Sequence, residues 1–135
     1  FASILPFASA RKVLPKEAWF VASLAALKHE DCGTCLQIGV NLARQDGVDA
    51  GVIRAAASGE ADELPPELAE VWRFAQAVLN ASDEDDGLRD TLRQRYGERG
   101  LIELSYAIAS SRIPPTVKRA LGYAQSCSLV PVQVR

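Results

Sequence analysis

Two cysteines separated by two residues, Cys32 and Cys35, lie in the stretch His29-Glu30-Asp31-Cys32-Gly33-Thr34-Cys35-Leu36-Gln37-Ile38-Gly39. The same stretch holds the one histidine of the chain. A thiol acts as a nucleophile only as thiolate. If Asp31 caps a helix that begins at Cys32, the unpaired N–H groups and partial positive charge of the helix start favour that form. The i, i+3 spacing puts both sulfurs on one face, and Gly33 between them removes bulk. One sulfur can then attack an oxidant, and the other can resolve it as a disulfide.

His29 and Glu30 stand beside this pair as candidate proton carriers, an imidazole being suited to neutral pH. His29 reads equally well as the cation that closes the preceding helix. Glu30 and Asp31 also oppose the thiolate, because nearby negative charge raises a thiol pKa. Two rival readings of the cysteines stay open. They can be inert packing, since cysteine is among the most buried residue types. With His29 and Cys127 they make a nominal set of four zinc ligands, although the second half lacks metal-finger spacing. The redox reading requires neither a metal nor an organic cofactor. Cys127, between Ser126 and Ser128, reads as a structural thiol.

The elements that must position the pair are helical. Residues 1–14 are apolar and suggest a partial helix over 1–12, with Pro15 in the first turn of the next. From Lys16 to His29 the run AWFVASLAALKH is apolar nearly all round, the mark of a helix buried on most sides. A second helix is expected from Cys32 to Gln45, closed by Gly47 in a left-handed turn. Asp49 caps a third, to Ala57, stopped by Ser58-Gly59. Pro65-Pro66 open a fourth, whose Leu68, Val71, Trp72, Ala75, Val78 and Leu79 form a core face. The acidic run Ser82–Asp86 complements the dipole of a fifth, which Gly97 ends. A sixth over 98–112 turns Leu101, Ile102, Leu104, Tyr106, Ile108 and Ala109 inward. Pro114-Pro115 break it and start a seventh, to Cys127. Tyr106, Tyr123 and Trp72 read as core residues. The tail LVPVQVR is expected to be extended and packed on a partner chain.

The reading is all-α: a truncated N-terminal helical segment over 1–14, one helical domain over 15–128 and a tail over 129–135. The chain has 135 residues, 48% of them hydrophobic and 24% charged, enough for one ordinary core. A formal charge of −2 with mixed signs gives no electrostatic footprint for nucleic acid or for a membrane surface. No apolar run reaches the roughly 18–20 residues that span a bilayer. Phe1 stands where an initiator methionine would, so the numbering is expected to begin inside a longer chain. FASILPFASA has no basic stretch before it and reads as a cut amphipathic helix rather than the end of a signal peptide. Three cysteines, two of them in a tight CxxC, argue against a disulfide scaffold and suit a reducing cytoplasm.

The order of these elements resembles the carboxymuconolactone decarboxylase-like superfamily, which includes the alkylhydroperoxidase D-like proteins. The residues that carry the likeness are the apolar helix before DCGTC, the turn GVDAGVIRAAASG, the Trp-Arg-Phe-Ala helix and GLIELSYAIASSRIPPTVKRALG, over residues 15–125. The resemblance implies an all-helical, oligomeric fold. It implies a peroxidase whose second cysteine, here Cys35, attacks a hydroperoxide and whose first, here Cys32, resolves it. A dithiol partner, often a lipoyl protein, then re-reduces the pair. The chain departs from that branch at two positions. The histidine four residues after the second cysteine is Gly39, and the glutamate twelve residues before the first is Phe20. His29 and Glu30 would have to stand in for that relay. The rival reading is a helical oligomer that binds a small ligand or partner, with a structural or redox-sensing cysteine pair.

Overall fold

The helix without a polar face lies at the centre. α1, Lys16–His29, buries nine of its fourteen residues, among them Trp19, Val21, Ser23, Leu24, Leu27 and four alanines. A helix apolar all round has no side to give to water. The alanines keep its girth small, so neighbours can approach from every direction. The four helices that follow all pack on it. These are α2, Gly33–Gln45; α3, Ala50–Ser58; α4, Pro66–Leu79; and α5, Leu88–Ala120. The computed structural model describes residues 6, 9–83, 86–123 and 133–134. Among these the architecture is all-α, with a 3₁₀ turn at Ala61–Glu63 and no strand. No helix of the described residues is long and apolar enough to cross a membrane.

Local chemistry sets most boundaries. Asp49 accepts from the backbone N–H of Gly51 at 2.9 Å and Val52 at 3.2 Å, the side-chain cap expected for α3 and worth about 1 kcal/mol. Gly47 closes α2 and Gly59 closes α3 at φ 81° and 78°, a conformation that glycine adopts without a Cβ penalty. Pro66 opens α4 at its first position, where no N–H is needed. Gly97, at φ 76° and ψ 175°, bends α5 into two arms where the sequence separates two helices.

Other expectations are corrected. Residues 9–14 form turns and bends rather than the end of a helix, and Pro15 is the residue just before α1 rather than part of its first turn. The remainder of the expected 1–12 helix lies outside the described residues except for Pro6. Pro114 and Pro115 do not break α5, which runs on to Ala120. They cannot donate to the carbonyls of Ser110 and Ser111. Around them Ser111 and Thr116 turn their hydroxyls to the carbonyls of Ala107 and Arg112, both at 2.7 Å. The far end of the expected seventh helix and Cys127 lie outside the described residues. Trp72 and Tyr106 pack partly buried on the core, but Val78 and Tyr123 are exposed. Of the tail, Gln133 and Val134 are described, and both make contacts within the chain. Gln37 pairs its carboxamide with the backbone of Gln133, at 2.9 and 2.6 Å, and Val134 packs against the core.

The inward face of the second arm of α5 is Gly100, Glu103, Leu104, Ala107 and Ile108, with Ile102 and Ala109 turned out. A fully buried glutamate on an apolar stripe needs compensation. Glu103 finds it in the segment before α1. Its carboxylate accepts from the backbone N–H of Lys12 at 2.7 Å, Val13 at 3.1 Å and Leu14 at 3.1 Å, and from Arg99 Nε at 3.0 Å. Burial would push this carboxyl up. The three backbone donors and the Arg99 guanidinium outweigh burial and hold it down at about 2.

Stability should follow that carboxyl. Because its folded pKa lies below the usual carboxylate value, its contribution is fully present above about pH 4.5 and is lost as pH falls toward 2. Glu103→Gln should cost roughly 3 kcal/mol at neutral pH. It should also flatten the loss of stability between pH 5 and pH 2, since no carboxyl remains to protonate. Urea melts of both proteins across that range check this. Equal slopes would show that Glu103 is not the acid-sensitive pin.

A dithiol at the wall of an apolar cavity

α1 ends one turn before the thiols, and the way it ends places them. The N–H of Asp31 bonds back to the carbonyl of Lys28 at 3.0 Å, and Asp31 itself takes a left-handed φ of 53°. The expected N-cap of α2 is thus used to terminate α1. The cap position passes to Cys32, extended at φ −114° and ψ 92°, and α2 begins at Gly33. Cys35 sits in the first turn, and the two Sγ atoms are 2.7 Å apart, as thiols rather than a disulfide. Neither is exposed: Cys32 keeps 1% of its surface and Cys35 6%.

The two sulfurs differ in what they face. Cys35 lines a cavity of about 500 Å³ between α1, α2 and the C-terminal arm of α5, a size typical of small-molecule sites. Cys32 is not among its lining residues. The wall comes from Trp19, Phe20, Ser23 and Leu27 of α1, from Cys35, Ile38, Gly39, Leu42 and Gln45 of α2, from Asp46, and from Ser110, Ser111 and Pro114 of α5. Phe20 and Gly39 both line this cavity, as Cys35 does. Nothing bulkier than glycine fits at 39 without movement. A Cβ there would lie 2.6 Å from Leu27 Cδ1 and 3.2 Å from Leu24 Cδ2. Leucine side chains fill the room that a larger residue would need. On the rim, Ile38 and Leu42 are each more than half exposed.

The two proposed proton carriers are not in this wall. His29 is exposed at the end of α1. Glu30 is buried, and its carboxylate is held by two arginines of α5. Arg112 Nε donates to one oxygen at 2.7 Å and Arg119 to the other at 2.6 Å. Arg119 also donates to the Glu30 carbonyl, so a cation sits at the C-terminus of α1, where the dipole favours one. Burial would raise the Glu30 carboxyl, but the Arg119 and Arg112 bonds outweigh it and hold the group below its usual value. A carboxylate kept ionised by two guanidiniums is a poor proton donor at neutral pH. It fastens the turn that carries Cys32 to α5. Among the described residues no three of His, Cys, Asp and Glu come together as a metal set.

Sequence reasoning passed over Ser23, Glu103, Arg112 and Arg119. Glu103 was within reach, because it falls on the i, i+3, i+4, i+7 stripe of its helix. The arginines carried no local signal, since their partner is more than eighty residues away in the chain.

The ion-pair geometry separates the two roles offered for Glu30. Glu30→Gln should lower stability by about 2 kcal/mol, leaving two arginines facing a weaker acceptor. The same loss should appear in Arg119→Ala, and the double variant should lose less than the sum. A double-mutant cycle from chemical denaturation measures this. Strict additivity would dissolve the clamp.

No protein-family model matches the chain, and neither does any of the curated proteins or solved structures compared with it.

Proposed function

We propose that this protein is a thiol-dependent oxidoreductase that reduces an organic hydroperoxide, or exchanges with a disulfide, through Cys32 and Cys35. On this reading it belongs to the carboxymuconolactone decarboxylase-like superfamily, on the alkylhydroperoxidase D-like side. The observation that carries the proposal is the asymmetry of the pair. The sulfurs are 2.7 Å apart, yet only Cys35 borders the cavity. A substrate in the cavity meets Cys35 first, and Cys32 waits behind it.

The chemistry then runs in two steps. Cys35, as thiolate, attacks the terminal oxygen of ROOH. The S–O bond forms as the O–O bond breaks, and RO⁻ leaves to take a proton from water as ROH. The Cys32 thiol gives up its proton and attacks the Cys35 sulfur. The S–S bond forms, and the hydroxyl of the sulfenic acid leaves with that proton as water. An external dithiol, in the resemblance a lipoyl-type protein, restores both thiols by exchange. The position of Phe20 and Gly39 in the wall leaves the usual Glu and His relay without a counterpart there, so solvent must supply the proton. Turnover is expected to be slow. A reducing compartment such as the cytoplasm would keep the pair ready. The apolar rim at Ile38 and Leu42 supports a second copy as the neighbour of this face.

The burial of both sulfurs favours the rival reading, a ligand-binding helical oligomer whose cysteines sense or merely pack. Single variants decide between them. Cys35→Ser should abolish loss of cumene hydroperoxide in the presence of dithiothreitol. Cys32→Ser should lose turnover but still consume one equivalent and leave a sulfenic acid on Cys35, trapped by dimedone and seen as added mass. Turnover that is equal in wild type and both variants would remove the enzymatic reading.

A further inference from the structure

α1 carries a buried hydroxyl that has no partner among the described residues. Ser23 lies in the middle of the helix, retains 7% of its surface and lines the cavity. Serine inside a helix commonly turns back to a carbonyl three or four residues earlier. Ser105 does so at 2.6 Å and Ser111 at 2.7 Å. Ser23 does not: among the described residues its hydroxyl has no hydrogen-bond partner. A hydroxyl buried without a partner costs free energy in the empty protein. Alanine, which surrounds it on α1, would be cheaper and a better helix former. Retaining a serine here is costly unless something in the cavity bonds it.

The rest of the wall says what that something is. Trp19, Phe20, Leu27, Ile38 and Leu42 give it an apolar body. Among the described residues no Lys, Arg or His contributes to it, so none of them would compensate a buried carboxylate or phosphate. Asp46, at the far end, is itself within 3.9 Å of Arg11. We propose that the cavity is a binding site for a neutral amphipathic molecule. Its apolar body lies among these side chains, and its oxygen-bearing head is hydrogen-bonded to Ser23 on the wall that also holds Cys35. The site deepens the proposed activity by assigning the residue that recognises the oxygen end of the substrate. It stands on the cavity and on Ser23, whatever chemistry the sulfurs perform.

The test uses molecules that cannot oxidise a thiol. 2-Phenyl-2-propanol has the body of cumene hydroperoxide with a hydroxyl head, and isopropylbenzene is the same body without one. Binding is read from the fluorescence of Trp19, with Trp72 outside the cavity wall as background, and from protection of Cys35 against iodoacetamide. Wild type should bind the alcohol more tightly than the hydrocarbon by about 5–10-fold, the worth of one neutral hydrogen bond. Ser23→Ala should erase that preference while leaving isopropylbenzene binding unchanged. The same ratio of affinities in both proteins, or no binding of either molecule, would overturn the proposal. Oxidation of the pair by cumene hydroperoxide is measured separately. If the pair resists oxidation but the alcohol preference disappears with Ser23, the peroxidase reading fails and the site stands. If oxidation proceeds at the same rate in Ser23→Ala and no preference exists, the site fails and the peroxidase reading stands.

Discussion

A helix with no polar side must be surrounded, and in this protein that requirement falls on α1. Nine of its residues are closed off from water, and the helices that close them off are the rest of the described domain. Its alanines matter as much as its leucines. They bury little area each, but they let α2, α3, α4 and α5 come near one axis. The hydrophobic gain is non-directional, so packing around α1 would leave its neighbours free to slide along it unless something polar set their position.

Two buried carboxylates supply that setting, one beyond each end of α1. Glu103 of α5 gathers the backbone N–H groups of Lys12, Val13 and Leu14 just before α1 begins. Glu30, just after α1 ends, is gripped by Arg112 and Arg119, again from α5. The long helix is thereby pinned to both ends of the central one. Each pin follows the rule for burying charge, with every carboxylate oxygen meeting a donor. The second pin also decides the local path of the chain. With Glu30 held and Asp31 in a left-handed turn, Cys32 is forced into the cap position and Cys35 into the first turn of α2.

The cavity exists because α2 and the C-terminal arm of α5 both lean on α1 without filling the angle between them. Gly39 and Ser110 are small, and Pro114 removes a helical donor on that side. What results is a pocket with one sulfur, and one hydroxyl without a partner among the described residues, beside mainly apolar neighbours. Among the described residues its wall holds no cation that would compensate a buried anion. Of the residues beside the pair in sequence, Glu30 is held by Arg112 and Arg119, and His29 is exposed outside the cavity wall.

Helix identity was legible in the residues alone. Apolar runs of helical period, Asp49, Pro66 and the glycines at 47, 59 and 97 act on neighbours a few residues away, and local signals of that kind survive folding. The pairing of Cys32 with Cys35 was legible for the same reason, since two intervening residues keep the sulfurs close even with Cys32 at the extended cap position. Burial of charge and the direction of a side chain were not. Whether Glu30 donates a proton or accepts two arginines depends on residues 82 and 89 positions away. Whether Pro114-Pro115 end a helix depends on the support around it. Ser23 looks like one more small residue in a run of alanines until α2 and α5 leave a space beside it. Spacing along the chain brought the two sulfurs together, but only the packing of three helices gave one of them a cavity to face.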